Sequence, residues 1–231
     1  MRLDKFVTAC TDLSRSQAKK LISKGDAITV DGVFISDPSF KLSNQSKVSL
    51  LGRRILLSGA RYIMLHKPIE TVCTSINDDS RSVMGLLGID NPETLHIAGR
   101  LDIDTTGLVL ITDDGAWSHR ITSPKKKCGK RYRVGLADAV QEGAELQFKQ
   151  GVQLKDESKL TRPAELEIIS SNEVLLTIHE GKYHQVKRMF AALNNRVVSL
   201  HREKVGSIQL DEALEEGEWR YLTEAEISSV S

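Results

Sequence analysis

The sequence predicts an α+β protein in two parts. A small N-terminal α/β unit covers residues 1–58, and a larger domain with a mixed, largely antiparallel sheet covers 59–231. Three observations predict it. Strand-like runs follow one another directly, as at 165–169 and 173–178 with only Ser170-Ser171-Asn172 between them, which argues against a doubly wound sheet. Charge is divided unevenly: residues 1–60 carry ten Lys and Arg against five Asp and Glu, whereas 61–231 carry 22 against 26. Polar residues, glycines and two arginines collect over 43–60 and place a linker near 55–60. At 231 residues, 40% hydrophobic and 27% charged, the chain has enough apolar material for a core in each part.

The elements follow in order. Leu3, Phe6, Val7 and Cys10 recur at helical spacing. Ser14 and Gln17 form a capping box that opens a second helix through Ala18, Leu21 and Ile22, and Gly25 stops it. Arg15 and Lys19, like Lys20 and Lys24, stand four apart and line basic faces, with Arg2 close by in sequence. Ile28-Thr29-Val30, the turn Asp31-Gly32 and Val33-Phe34-Ile35 read as a hairpin. In the larger part strands are expected at 62–65, 108–112, 131–136, 165–169, 173–178 and 204–209, and helices at 115–122, 139–149, 183–193 and 223–229. Residues 211–231 hold seven acids and one arginine and read as an exposed surface helix.

Several classes of function are disfavoured. The three cysteines, 10, 73 and 128, form no CxxC pair, so neither a disulfide framework nor a cysteine zinc site is expected. No two of the six histidines are spaced HxxxH, and no metal is expected. No apolar run approaches the ~18 residues of a membrane span, and the start lacks an apolar signal region, so a cytoplasmic protein is expected. Without an unusually apolar surface stripe, a monomer is the default. The basic N-terminal part suggests an arm for a polyanion.

The most informative run is Gly99-Arg100-Leu101-Asp102-Ile103-Asp104-Thr105-Thr106-Gly107, followed by the apolar Leu108–Ile111 and the turn Asp113-Asp114-Gly115. It places a polar cluster at the mouth of a buried strand. Asp102-x-Asp104-x-Thr106 also fits the DxDxT pattern of phosphatases of the haloacid dehalogenase class, but those enzymes place the motif after an apolar strand, and here the strand follows. Between Arg120 and Arg133 lie seven basic residues and no acid: 120, 125, 126, 127, 130, 131 and 133. With Tyr132 interleaved, that run suggests a wall of an RNA channel, with Lys125, Lys126, Lys127 and Lys130 as RNA contacts.

Three separated motifs carry a resemblance to the pseudouridine synthases. They are Gly99-Arg100-Leu101-Asp102 with Thr105-x-Gly107-Leu108, then Lys130-Arg131-Tyr132-Arg133-Val134, then Glu180-Gly181-Lys182-Tyr183-His184-Gln185-Val186-Lys187-Arg188-Met189. Residues 1–50 resemble the S4 RNA-binding domain. The Tyr183-His184-Gln185 version and the segment Trp117–Pro124 resemble the branch acting on small-subunit (16S) ribosomal RNA. The resemblance implies a cofactor-independent isomerase of 16S ribosomal RNA or the assembling small subunit, with U516 as the target. The alternatives are a synthase of large-subunit RNA and a non-catalytic S4-type assembly factor.

The same resemblance implies roles. Asp102 is the catalytic carboxylate, attacking C1′ or removing the C2′ proton. Tyr132 stacks on the flipped uracil and takes the C5 proton. Lys187, in preference to the adjacent Arg188, is the cation that keeps Asp102 ionised. Arg100 fills the space the base leaves or grips phosphate. Arg2, Arg15, Lys19, Lys20 and Arg188 are further RNA contacts.

Overall fold

Leu3 and Val7 of a first helix and Ala18 and Ile22 of a second close over Ile28, Val30 and Val48 to form the N-terminal core. The computed structural model describes residues 1–11, 13–43, 46–55, 59–74, 81–89, 92–126 and 128–230; the side chains of Glu93 and Lys125 are likewise outside the description. Two compact units result, Met1–Ala60 and Arg61–Ser231.

In the first unit α1 (Leu3–Cys10) and α2 (Arg15–Ser23) precede a four-stranded antiparallel sheet. Its strands β1 (Ile28–Val30), β2 (Val33–Phe34), β3 (Val48–Leu50) and β4 (Arg53–Ile55) run in the order β2-β1-β3-β4. Ser14 and Gln17 make both bonds of the expected capping box. Asp31 and Gly32 form the hairpin turn, both at positive φ, as a tight two-residue turn requires. The hairpin β3–β4 lies within the polar boundary stretch 43–60, ahead of the linker expected near 55–60. Three-residue strands are too short to show alternation, so the sequence pattern hid them. Residues 56–58, where the linker was expected to end, lie outside the described residues.

The second unit is built on β5 (Tyr62–Lys67), β6 (His96–Ile97), β7 (Thr106–Thr112), β8 (Lys130–Leu136), β9 (Glu165–Ser170), β10 (Glu173–Ile178), β11 (Val197–Val205), β12 (Ile208–Gln209) and β13 (Trp219–Tyr221). Among the described residues these nine strands form one sheet, ordered β13-β5-β7-β11-β8-β10-β9, with β6 paired to β7 and β12 to β11. Only the β7–β11 pairing is parallel, so the sheet is mixed and largely antiparallel, as predicted. Helices α3 (Gly115–Thr122), α4 (Ala144–Gln150), α5 (Gln185–Ala192) and α6 (Glu224–Ser228) complete the unit.

Strand β7 is buried on both faces because each face meets its own core. Val109 and Ile111 join Tyr132, Phe148, Met189 and Phe190 on one side. Leu108 and Leu110 join Trp117 and Ile121 of α3 on the other, with Leu222 and Val230 from the end of the chain. A continuous apolar run is what two covered faces demand.

Four expectations are corrected. The strand expected at 204–209 is broken by a turn at Gly206 (φ +57°), and the main strand runs from Val197 to Val205. The helix expected at 139–149 begins only at Ala144, after a left-handed Gly143. The helix expected at 183–193 begins at Gln185, because His184 adopts φ +47°. The acidic end is an exposed helix only over Glu224–Ser228, which buries no residue; the rest of it is not. Trp219–Tyr221 pairs with β5, Trp117 Nε1 donates to Ile227 O, and Arg120 Nε donates to Val230 O. Here local charge lost to tertiary pairing: Leu222 and Val230 fill the core while the acids stay outside it.

Candidate active site

The loop from Gly99 to Thr105 enters β7 under strict steric terms. Gly107 pairs with Arg202 across the parallel β7–β11 step, at φ +105°. A Cβ there would come within 2.4 Å of Arg202 O and 2.7 Å of its N, so only glycine lets the two backbones approach. The loop is pinned from below by Lys67, whose side chain is fully buried. Its Nζ donates to the carbonyls of Pro68 (3.0 Å), Ile103 (3.4 Å) and Thr105 (2.8 Å). Burial lowers the Lys67 pKa, the expected direction for a cation removed from water. Leu101 donates its N–H to the Cys73 Sγ (3.4 Å), and Thr105 N–H closes a turn onto Asp102 O (3.1 Å).

Asp102 thus projects from a braced turn into a cleft of about 380 Å³. Two groups from the start of α5 meet it: Lys187 Nζ lies 3.3 Å from Oδ2, and His184 Nε2 lies 3.4 Å from Oδ1. Lys187 also donates to Asp104, and that bond is the main reason the Asp104 carboxyl is held below its ordinary value. His184 is aimed by its left-handed backbone and by stacking on Tyr183, ring centroids 3.8 Å apart. Gln185 fixes the same turn: its Oε1 accepts from Lys182 N–H and its Nε2 donates to Glu180. A non-glycine residue at positive φ costs about 1 kcal/mol or more, a strain that clusters at functional sites.

Tyr132 reaches the cleft from β8 and is itself 7% exposed. Its register partner is Arg202, whose guanidinium carbon lies 6.0 Å from the Tyr132 ring centroid. Arg202 donates from Nε to Leu108 O and from Nη2 to Gly99 O, both at 2.8 Å, and so ties the two flanks of the loop together. Thr105 Oγ1 is buried in the cleft wall without a partner among the described residues.

The expected residues divide in three. Asp102, Tyr132, Lys187 and Arg100 converge on this cleft; Arg100 is exposed on its lining and makes no hydrogen bond or ion pair among the described residues. Lys130 also lines it, but is buried and donates to Ile121 O and Cys128 O. Arg188 turns away from Asp102 to Glu157 (3.4 Å) and Tyr183 O (3.1 Å), as a neighbour about 100° around a helix must. Arg2 and Arg15 pair with the buried carboxylate of Asp4, whose pKa the Arg2 bonds lower.

Lys19, Lys20 and Lys126 are exposed. The side chain of Lys125 and the whole of Lys127 lie outside the described residues. Three further members of the basic run 120–133 are bound to protein groups. Arg131 and Arg133 face Glu203, Arg133 also faces Glu173, and Arg120 holds the end of the chain. Alternation along β8 sends successive side chains to opposite faces, which a count of charges does not register. Sequence reasoning assigned no role to His184 or Arg202. His184 lay inside a motif already quoted; Arg202 lay in a stretch to which no element was assigned, just before the strand expected at 204–209.

A carboxylate held between a lysine and a histidine, an aromatic wall and an exposed arginine meet at one open cleft. A family model described as RNA pseudouridylate synthase matches residues 61–192, and one described as S4 domain matches 1–47. The chain belongs to the RNA pseudouridylate synthases, isomerases that act on RNA, and carries an N-terminal S4 domain.

Its relatives include two proteins named ribosomal small subunit pseudouridine synthase A. The one from Vibrio cholerae is 56% identical over 230 residues, covering 100% of this chain and 99% of its own. The one from Escherichia coli K12 is 51% identical over 231 residues and covers 100% of both. A crystal structure described as a pseudouridylate synthase is 47% identical, covers both chains fully and superposes with a TM-score of 0.72.

Proposed function

We propose that this enzyme converts a uridine of small-subunit ribosomal RNA, U516, to pseudouridine. The observation that carries the reading is the convergence of Asp102, Lys187, Tyr132 and Arg100, from three separate segments, on one cleft. The full-length similarity to small-subunit synthases supports the choice of RNA.

The chemistry asks for little more than these groups. The target base leaves its stack, and Arg100, exposed at the cleft, fills the gap or grips a phosphate. Tyr132 offers its ring as a platform and its hydroxyl as the acceptor of the C5 proton. The Asp102 carboxylate, with Lys187 and His184 at its two oxygens, attacks C1′ or takes the C2′ proton. The uracil turns and rejoins through C5. Reactant and product are isomers, so the reaction balances without a donor or an oxidant. The S4 unit supplies affinity for folded RNA, with Lys19 and Lys20 among its exposed cations.

The test is pseudouridine mapping of 16S ribosomal RNA transcripts and partly assembled small subunits incubated with the wild type and with Asp102→Asn. One new pseudouridine, made by the wild type alone, is expected, with RNA affinity of the variant within a few-fold. Turnover by Asp102→Asn near the wild-type rate would remove Asp102 from the chemistry. Modification confined to 23S RNA would overturn the choice of substrate.

A further inference from the structure

The second unit holds three buried cations, Lys67, Lys130 and Arg202, and none has a carboxylate within salt-bridge distance among the described residues. Lys67 and Lys130 direct their ammonium groups at three and two backbone carbonyls. Arg202 is different. It is 1% exposed, yet of its five N–H donors only Nε and Nη2 are used, on Leu108 O and Gly99 O. Nη1 has no hydrogen-bond partner among the described residues, and Arg202 lines the cleft beside Tyr132. A guanidinium taken out of water without a counter-charge is costly, and the cost is tolerable where an anion or a strong acceptor arrives to meet it.

The geometry points to Arg202 as a further catalytic residue, whose guanidinium takes up the negative charge on the uracil as it leaves the sugar. This rests on the reading that a flipped uridine enters the cleft. When the C1′–N1 bond breaks, its electron pair stays on N1 and spreads to O2 and O4. C1′ either gains a bond to an Asp102 oxygen or, if Asp102 has taken the C2′ proton, a double bond to C2′. On return, C5 bonds to C1′ as the ester bond breaks or the proton goes back to C2′. C5 then loses its proton, and N1 or a carbonyl oxygen gains one. On both routes the free base carries a full negative charge between two neutral states. A preorganised donor aimed at that charge acts on the reacting state and not on the bound uridine. Arg202 already spans Gly99 and Leu108 on either side of Asp102, so the donor and the carboxylate share one rigid frame.

The test compares wild type, Arg202→Met and Arg202→Lys in single turnover on ribosomal RNA carrying uridine or 5-fluorouridine, following loss of the original N-glycosidic nucleoside. Fluorine stabilises the base anion, so a residue that stabilises the same anion is needed less on that substrate. For Arg202→Met the rate on uridine is expected to fall about 10²-fold, the scale of removing one charge-stabilising donor. On 5-fluorouridine the fall is expected to be less than about 10-fold, with RNA affinity close to wild type. Equal losses on both substrates would overturn the proposal and leave Arg202 as a brace for the loop. If Arg202→Met fails to fold, Arg202→Lys is judged by the same ratio: a larger loss on uridine supports the proposal, and no loss or equal losses overturn it. Small- and large-subunit transcripts are supplied together. Product on the large-subunit RNA alone would thus overturn the substrate reading while the comparison of variants stands.

Discussion

Asp102 owes its position to the residues that brace its backbone. Lys67, Leu101, Thr105 and Arg202 fix the backbone on both sides of it, and Gly107 makes the fixing possible by letting β7 and β11 meet. Gly107→Ala is therefore expected to be among the most damaging single substitutions. Its methyl group would collide with Arg202 backbone at 2.4 Å, and alanine resists φ +105°. A loss of about 3 kcal/mol or more in urea unfolding is expected, or failure to fold. Gly115→Ala provides the control. That residue opens α3, has a negative φ and meets nothing within 4 Å, so stability within about 0.5–1 kcal/mol of wild type, on the stabilising side, is expected. Similar losses for the two variants would show that the close approach at Gly107 is not what the fold requires. The sequence announced Asp102 and Gly107 through their motif. It did not announce Arg202, because nothing local marks a buried arginine whose partners are carbonyls about a hundred residues away.

At the scale of elements, the acidic end shows where local reading fails and why. Its seven acids and one arginine read as a solvated helix, yet β13 adds to the sheet edge beside β5, and Ile227 of α6 and Val230 beyond it accept hydrogen bonds from α3. The signal that could have found it was Trp219, Tyr221 and Leu222, apolar residues set among the charges. The same tail is closed by Arg220, which donates to Asp211 (2.7 Å) and bidentately to Glu226. The Arg220 bonds, with further bonds from Thr223, draw the Glu226 carboxyl from the ordinary 4.5 down to about 2. A lowered folded-state value means that the unfolded chain binds the extra proton. The stabilisation is therefore complete above about pH 4.5 and is lost as pH falls towards 2. Glu226→Gln keeps an acceptor for the capping box of α6 but loses the charge. Urea midpoints should show the variant less stable by about 0.5–1 kcal/mol at pH 7, with the gap closing towards pH 2. A gap that stays constant over that range would mean that shape and not charge holds the tail. The elements read correctly were those with strong local signals: the Ser14 capping box, the Asp31-Gly32 turn and the apolar run 108–111 of β7. Those missed were strands of two or three residues, which owe their existence to their neighbours in the sheet, and most of the longer β11, whose polar residues hid its register.

At the scale of the molecule, the division of charge along the chain corresponds to a division of work. The S4 domain is the basic part, and its buried residues form a cluster of their own around Ile22 and Ile28. The catalytic unit has its own two cores and contains every residue that lines the cleft. None of the groups proposed for the chemistry at Asp102 lies in the first unit, and the S4 domain is the part proposed to grip folded RNA. Removing residues 1–60 is thus expected to leave a unit that unfolds cooperatively and keeps its far-UV signal. Its affinity for ribosomal RNA is expected to fall and to depend less steeply on salt. Every phosphate that is no longer neutralised by a cation lowers the slope of log K against log salt by about 0.7–0.9. Lys19 and Lys20 on α2 and Arg53 and Arg54 on β4 are exposed. If each meets one phosphate, deleting them changes the slope by roughly three. The rate at saturating RNA is expected to stay within a few-fold of the full chain, since Asp102, Lys187, Tyr132 and Arg202 are all retained. A truncated unit that binds with the original salt slope would move the RNA grip into the catalytic unit. One that binds well but no longer turns over would make the S4 domain part of how the target uridine is presented.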